Sequence, residues 1–325
     1  MKGWDPLLTA GPPASYLPIL GLGVACLDTI WRVPSFPAED SKTQALDLAI
    51  QGGGPVATAL VAAARLGVPS AYIGALGDDP AGSAILSGLA AEGIDISYVK
   101  TVPGARSHTA AVLVDESSGR RTVVWHPGTA PPPDPCSVPD AVLAQARFLH
   151  LDGHHPGAAL PLAKRARKLG VAVSLDAGSN YPWMGDLLAN VDILIGSASF
   201  ARDFTGESEP EKMVAALAQN RAGIVGVTLG DAGGILAMEG RTINYPAFPV
   251  QAVDTNGAGD VFHGAFLAAL VLDMDPPAAA RFASAAAAMK CMVPGGREGI
   301  PGYREVEVFL AGRIPGSAKP SGYED

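Results

Sequence analysis

The sequence has few cysteines, no membrane-length apolar run and no obvious targeting segment. Its three cysteines, Cys26, Cys136 and Cys291, are widely separated in the 325 residues and make no spacing typical of metal ligands. They favour free thiols in a reducing compartment, so we expect a cytoplasmic protein without a disulfide framework. Apolar runs are too short to span a membrane, and residues 1–16 lack the continuous apolar core of a signal peptide.

Charged and aromatic residues are also scarce, at 17% and 6%, and the net charge is -9. This negative charge argues against nucleic acid and anionic membranes as partners. Hydrophobic residues reach 48%, and 39 Gly and 28 Pro punctuate the apolar runs. Such a composition suits an α/β enzyme with many buried strands. We expect a flexible leader over 1–17, one folded domain over 18–315 and a flexible tail over 316–325.

Short apolar segments alternate with helical segments from residue 146 to residue 229. This rhythm predicts a mostly parallel central sheet with helices on both faces. Because parallel strands end at one edge of a sheet, their ends should bring several polar side chains to one crevice. Asp28 follows the first predicted strand, 18–26. The later strand ends carry Asp152, Asp176, Ser197 and Thr228.

Two excursions from this rhythm, at about 30–50 and 106–126, alternate polar and apolar residues. They predict a small antiparallel sheet that forms a lid over the crevice. A small exposed sheet has edges that can pair with another sheet. The lid is therefore the expected surface of a homodimer.

The stretch from Val253 to Phe266 reads VDTNGAGDVFHGAF and carries the strongest chemical signal. Small residues at Gly257, Ala258 and Gly259 lead directly into an apolar helix. The first N–H groups of such a helix lack partners and can bind an anion, and bulky side chains there would keep a phosphate away. Asp260 lies inside this anion hole, which favours a general base over a simple helix cap. A capped helix after a glycine turn is the alternative.

Three motifs, DTNGAGDVFHGA, GGGPVATALVAAARLG and PGGREGIP, resemble the signatures of the ribokinase family, the PfkB group of carbohydrate kinases. The resemblance covers about 18–310 and is nearest to the ketohexokinase and sulfofructose kinase branch. It implies a ribokinase-like fold, with ATP and Mg²⁺ as cofactors. It also implies phosphoryl transfer to a primary hydroxyl of a small sugar, with a ketose as one candidate.

The resemblance also implies which residues bind the two substrates. The sugar would lie between the lid and the sheet edge, above the glycine-rich start of a helix. An Asn often stands where this chain has Thr58. The predicted sugar ligands are Asp28, Gly53, Gly54, Thr58, Trp125 and His154.

The nucleotide side is predicted from small residues after a strand and from an alanine-rich helix whose small face could pack an adenine. In the family, the first of these segments contacts the phosphates and ribose of ATP. The predicted nucleotide ligands are Thr228, Gly230, Gly233, Ser197 and Ser284.

The metal motifs depart from the family pattern. An N-x-x-E motif usually organises Mg²⁺, but Ser197-Ala198-Ser199-Phe200 stands in its place. We therefore expect Mg²⁺ to rely on the phosphates, water and either Asp176 or Asp260. Asp176 would be an outer-shell ligand, and a helix cap is its alternative role. Asp254 is a candidate ligand for K⁺, although Gly299 replaces a serine common in the last loop. In that loop Arg297 is either a ligand for phosphate or a sugar acid, or a surface charge.

Two other functions stay open at this point. A nucleoside kinase of the same fold would need an apolar acceptor pocket, which Trp31, Phe36 and Trp125 could line. A nucleotide- or sugar-binding sensor without catalysis is compatible with the missing N-x-x-E motif. Asp260 and the intact glycine turn argue against the sensor.

Overall fold

The computed structural model describes residues 17–118 and 120–312. Apart from Leu17, the predicted leader and the predicted tail lie outside these residues. The strands are β1 (Ile19–Leu22), β2 (Cys26–Val33), β3 (Asp47–Gly53), β4 (Ser70–Gly77), β5 (Asp95–Val102), β6 (Thr109–Asp115), β7 (Arg121–His126), β8 (Phe148–Leu151), β9 (Ala172–Ala177), β10 (Ile193–Ser197), β11 (Ile224–Thr228), β12 (Gly234–Met238) and β13 (Arg241–Tyr245).

Several helices begin with a proline, whose fixed φ suits the first turn and whose missing N–H is not needed there. One of these helices starts at Pro276, where the side chain of Asp275 accepts a hydrogen bond from the N–H of Ala278 and caps the helix. The helices are α1 (Pro55–Arg65), α2 (Pro80–Ala91), α3 (Asp140–Leu143), α4 (Pro156–Lys168), α5 (Met184–Leu188), α6 (Ala198–Thr205), α7 (Pro210–Leu217), α8 (Ala258–Val271), α9 (Pro276–Cys291) and α10 (Tyr303–Ala311).

Nine strands form the main sheet in the order β13-β12-β11-β10-β9-β8-β1-β4-β5. The pairs from β5 to β11 are parallel, and β12 and β13 are antiparallel additions at one edge. One buried cluster joins the sheet to α1, α8 and α9, and a second joins it to α4, α6 and α7. Adjacent residues of β1 enter different clusters, since successive side chains point to opposite faces. The predicted α/β fold with helices on both faces is confirmed.

The lid is a four-stranded sheet in the order β3-β2-β6-β7. It is mixed and not antiparallel as predicted, because the hairpins β2–β3 and β6–β7 join through the parallel pair β2–β6. The predicted first strand, 18–26, is also divided in two. The N–H of Val24 donates to Oδ2 of Asp152 at 2.7 Å, which fixes the turn that sends β2 into the lid. In the part of the chain that the structure describes, no helix has the length and apolar character needed to cross a bilayer.

Candidate active site

The start of α8 is held in place by a braced turn. Gly257 has a φ of 76°, a conformation that other residues rarely adopt, and a Cβ at this position would lie 2.7 Å from the carbonyl oxygen of Gly296. The carboxylate of Asp254 accepts hydrogen bonds from the N–H groups of Asn256 and Gly295, both at 2.8 Å. A Cβ at Gly259 would meet no atom within 4 Å. The first turn of α8 therefore faces open space that an anion could enter.

Asp260 lies in this first helical turn, half-buried, with other charged groups around it. Burial raises the pKa of its carboxyl group to about 7, and the charges of Asp176 and Asp152 act in the same direction. His263 and Arg297 lower the pKa. The group therefore changes its protonation near neutral pH, which suits a general base.

Asp176 is held by a histidine from α8. Nε2 of His263 lies 3.2 Å from Oδ1 of Asp176, and both side chains are largely buried. His263 is one helical turn beyond Asp260, so a single helix positions the candidate base and the partner of its acidic neighbour. The ring of His150, which is also buried, lies 5.8 Å from the ring of His263.

The lid brings Asp28 to the same region. Oδ1 of Asp28 accepts a hydrogen bond from Sγ of Cys26 at 2.8 Å, and Oδ2 would be 2.1 Å from a Cβ at Gly53. Burial raises the pKa of Asp28, while Cys26 and Arg297 lower it. Gly54 follows with a φ of 93° and caps α1. Asp28, Gly53 and Gly54 thus form one continuous surface at the base of the lid.

Arg297 is buried, and it connects the last loop to this surface. Its Nη2 donates to the carbonyl oxygen of Gly53 at 2.7 Å, and its Nε donates to Oγ1 of Thr58 at 3.1 Å. Its charge interacts with both Asp28 and Asp260. The surface-charge interpretation of Arg297 is wrong, since its side chain is buried and makes these hydrogen bonds in the interior. Thr58 contacts this guanidinium.

Aromatic side chains share the face of the lid that carries Asp28. In the lid register Asp28 pairs with Ala110, which pairs with Trp125, so Trp125 shares a face with Asp28. Trp125 stacks on His108 with ring centroids 5.2 Å apart. His154 follows β8, with its Nδ1 at 3.2 Å from Oδ1 of Asp152.

Tyr181 completes this second arrangement. Its hydroxyl lies 3.0 Å from Nε2 of His154, and its ring stacks on Trp183 at 5.0 Å. Nε1 of Trp183 in turn donates to the carbonyl oxygen of Gly153 at 2.9 Å. His154 is thereby fixed between an acid and a phenol.

A cavity of about 410 Å³ opens on the other side of the α8 turn. Its walls come from the ends of β11 and β13, the 246–252 segment, α8 and α9. Of the predicted nucleotide ligands, Ser197 does not line it; its hydroxyl accepts from the N–H of Phe200 at 3.0 Å and caps α6. The predicted residues that do line it are Thr228, Gly230, Gly233, Ser284, Ala258 and Gly259.

A comparison with known proteins shows the family of the chain. A model described as "pfkB family carbohydrate kinase" matches residues 18–302. The chain belongs to the PfkB family. This carbohydrate kinase is 32% identical to the ribokinase of Haemophilus influenzae over 297 residues, which cover 89% of this chain and 97% of the relative.

Two further relatives agree with this assignment. The ATP-dependent ribose-1-phosphate kinase of Halopiger xanaduensis is 30% identical over 91% of this chain and 99% of its own. The structure of Arabidopsis thaliana ribokinase complexed with ribose and ATP superposes with a TM-score of 0.80 at 27% identity, covering 91% of this chain and 99% of that one. The PfkB protein is an ATP-dependent sugar kinase, a phosphotransferase with an alcohol group as acceptor. Its expected nearness to ketohexokinases and sulfofructose kinases is not supported, since these relatives act on ribose or its phosphate by name.

The family resemblance implies Mg²⁺ and K⁺, and the residues of this PfkB chain suit Mg²⁺ better than K⁺. Asp176 and Asp260 offer the hard oxygen donors that Mg²⁺ prefers in combination with phosphates. Within residues 17–118 and 120–312, no cluster of three or more His, Cys, Asp or Glu could hold a metal by itself. Both carboxylate oxygens of Asp254 already accept backbone hydrogen bonds, and its carbonyl oxygen accepts one from Nζ of Lys290.

Sequence reasoning left several residues of this PfkB site out of the predicted ligands. Asp152, like Asp176, is a carboxylate that follows a predicted buried strand, so the sequence pattern could have indicated it. Lys290 is a single lysine in an alanine-rich helix, a pattern that could have been noticed. Arg121 gave no signal, because only the fold brings its Nη1 to Oγ1 of Thr255, at 2.9 Å.

The pKa of Asp260 predicts how activity depends on pH. A base must be deprotonated, so we expect kcat/KM to fall as the pH drops below about 7. The substitution Asp176→Asn removes a negative charge that raises the pKa of Asp260. The acidic limb of the kcat/KM profile should therefore move to lower pH by roughly one unit. Asp186→Asn, at an exposed position on α5, is the control. An unshifted limb in Asp176→Asn would contradict the assignment of this limb to Asp260.

Proposed function

We propose that this kinase transfers the γ-phosphoryl group of ATP to a primary hydroxyl of a small sugar, with ribose as the first candidate. The observation that carries the proposal is the position of Asp260. It follows Ala258 and Gly259, which line the cavity together with Thr228 and Gly230. Its charge interacts with Arg297, which donates to the carbonyl oxygen of Gly53 on the Asp28 surface. A base at this junction can reach an acceptor on one side while the phosphate chain lies on the other.

The chemistry follows from this placement. Asp260 takes the proton of the acceptor hydroxyl, and the oxygen attacks the γ-phosphorus as the bond to the leaving oxygen of ADP breaks. N–H groups at the start of α8 stabilise the charge on the transferring group. Bound Mg²⁺ would neutralise phosphate charge, and Asp176, oriented by His263, is the residue placed to hold its water. Arg121 adds a positive charge from the lid side of the turn.

The acceptor side is proposed to bind through Asp28, Gly53 and Gly54. A buried carboxylate with one oxygen held by Cys26 can accept hydrogen bonds from sugar hydroxyls with its other oxygen. Thr58 acts through Arg297, whose charge keeps Asp28 and Asp260 from repelling an approaching hydroxyl oxygen. Trp125 and His154 close the site from the lid and from β8.

The names of the relatives favour ribose or a ribose phosphate over the ketose expected from the sequence. A nucleoside is the second candidate, and the aromatic pairs favour it. His108 with Trp125, and Tyr181 with Trp183, present flat stacked rings near Asp28 and His154. A nucleobase could lie against such rings, whereas a free pentose would use mainly hydrogen bonds.

The test is ATP consumption with Mg²⁺ against a panel of pentoses, ketoses, sugar phosphates, sugar acids and nucleosides. We expect turnover with ribose or a ribose phosphate, and phosphorus NMR of the product should place the new ester on a primary carbon. Turnover with nucleosides alone would replace ribose by the second candidate. No turnover with any acceptor, in a protein that still binds ATP, would contradict the proposed function and favour a sensor.

We also propose that two copies pair through the outer face of the lid. Trp31, Leu48, Ile50 and Val124 share this face in the strand register, and Ile50 and Val124 are 63% and 68% exposed. On the opposite face, Ile30, Val112 and Val114 form a buried cluster. A cluster of large apolar side chains on a small sheet is typical of an interface, and each copy of the chain carries the same one.

This interface predicts a change in mass. Ile50→Glu should convert a dimer into a monomer, because it places a charge at the centre of the apolar face; light scattering coupled to size exclusion measures the result. The control is Val308→Glu on α10, where the wild-type side chain is 56% exposed. A wild-type monomer, or an Ile50→Glu variant that stays dimeric, would contradict the proposed interface.

A further inference from the structure

Lys290 is completely buried, with 0% of its surface exposed, in the last turn of α9. Its neighbours in the sequence are small or apolar, as the run FASAAAAMKCM shows. Burying an ammonium group is costly unless hydrogen bonds and opposite charge compensate. Such a residue therefore needs a specific partner, and none of the steps described above uses it.

That partner is the turn that leads into α8. Nζ of Lys290 donates to the carbonyl oxygen of Asp254 at 2.8 Å, and the charge of Asp254 favours its protonated form. The next residue also joins α9 to this turn. The carbonyl oxygen of Cys291 accepts hydrogen bonds from the N–H groups of Val253 and Asp254, at 2.8 and 3.1 Å. The end of α9 thereby holds the segment that precedes the anion-binding turn.

Four ionisable groups interact with the charge of Lys290: Asp254, Cys291, Arg121 and Asp260. Asp254, Cys291 and Asp260 favour the protonated form of Lys290, and Arg121 from the lid opposes it. Burial lowers the pKa of Lys290, and the two carboxylates oppose this effect. The ammonium of Lys290 thus already supplies a positive charge beside the carboxylates of Asp254 and Asp260.

Gly299 adds an independent observation. A Cβ at this position would lie 2.7 Å from the carbonyl oxygen of Lys290 and 2.7 Å from Cβ of Val293. A serine hydroxyl, the ligand expected here from the family resemblance, does not fit. The last loop therefore lacks one oxygen donor for a monovalent cation. The carbonyl oxygen of Lys290, in α9, leaves no room for a serine side chain that could supply this donor.

We infer that the ammonium group of Lys290 replaces the monovalent cation of the family and holds the 254–257 turn, so that the kinase works without added K⁺. This inference rests on the proposed function, because the turn matters only if it binds phosphate. Lys290 is a positioning residue: it touches neither substrate, and it acts through Asp254 on the start of α8.

The first test uses the wild-type protein. Phosphoryl transfer is measured with KCl exchanged for choline chloride at constant ionic strength, and the thermal midpoint is recorded in the same two salts. We expect turnover to change by less than about twofold and the midpoint to stay the same. Activation by K⁺ of roughly tenfold or more, of the size expected when an electrostatic contribution to the transition state is lost, would overturn the inference.

The second test removes the ammonium. Lys290→Met should lower turnover by on the order of tenfold to 100-fold, because the turn loses its cation. In Lys290→Ala, K⁺, ammonium or methylammonium should restore part of the turnover and raise the thermal midpoint, since the space left can hold a small cation. Lys212→Met, an exposed substitution on α7, is the matched control. Full turnover in Lys290→Met, or a folded Lys290→Ala variant that no cation rescues, would contradict the inference.

These outcomes are separable from failure of the proposed function. A protein that transfers phosphate to no acceptor in either salt refutes the function itself. A protein that is active only with K⁺ keeps the function and refutes the role of Lys290.

Discussion

The structure depends on one electrostatic conflict at the start of α8. The free N–H groups of the first helical turn attract an anion, and the same turn carries the carboxylate of Asp260. Burial and the neighbouring Asp176 raise the pKa of Asp260 towards neutrality. A group in this state can accept a proton from a hydroxyl and then share its surroundings with phosphate at a smaller electrostatic cost. The braces at Asp254 and Gly257 keep this turn in position.

The rest of the fold distributes charge around this point. The lid supplies Asp28, the last loop supplies Arg297, and α8 itself supplies His263. Arg297 donates to Gly53 of the acceptor surface, and its charge interacts with Asp260, so one buried cation acts on both sides of the site. The parallel sheet makes this convergence possible, because its strands end at one edge and deliver their carboxylates to a single crevice.

Sequence patterns predicted the strands, the helices and the glycine turn before Asp260, because each of these depends on a few neighbouring residues. Alternating strands and helices, proline starts and the glycine turn before Asp260 each reflect the conformation of a few neighbouring residues. The lid strands were located as well, but their mixed pairing depends on how two hairpins meet, which alternation does not encode. The contacts of Thr58 with Arg297 and of Lys290 with Asp254 join residues more than 30 positions apart. Nothing in their own segments indicates these partners.

The most direct test of the central claim separates binding from chemistry at Asp260. In Asp260→Asn, the affinity for ATP, measured by calorimetry, should be unchanged or higher, because a negative charge next to the phosphate site is gone. Turnover should fall by a factor on the order of 10² to 10⁴, the contribution typical of a general base. An Asp260→Asn variant that keeps wild-type turnover would contradict the claim that this carboxylate takes the proton of the acceptor.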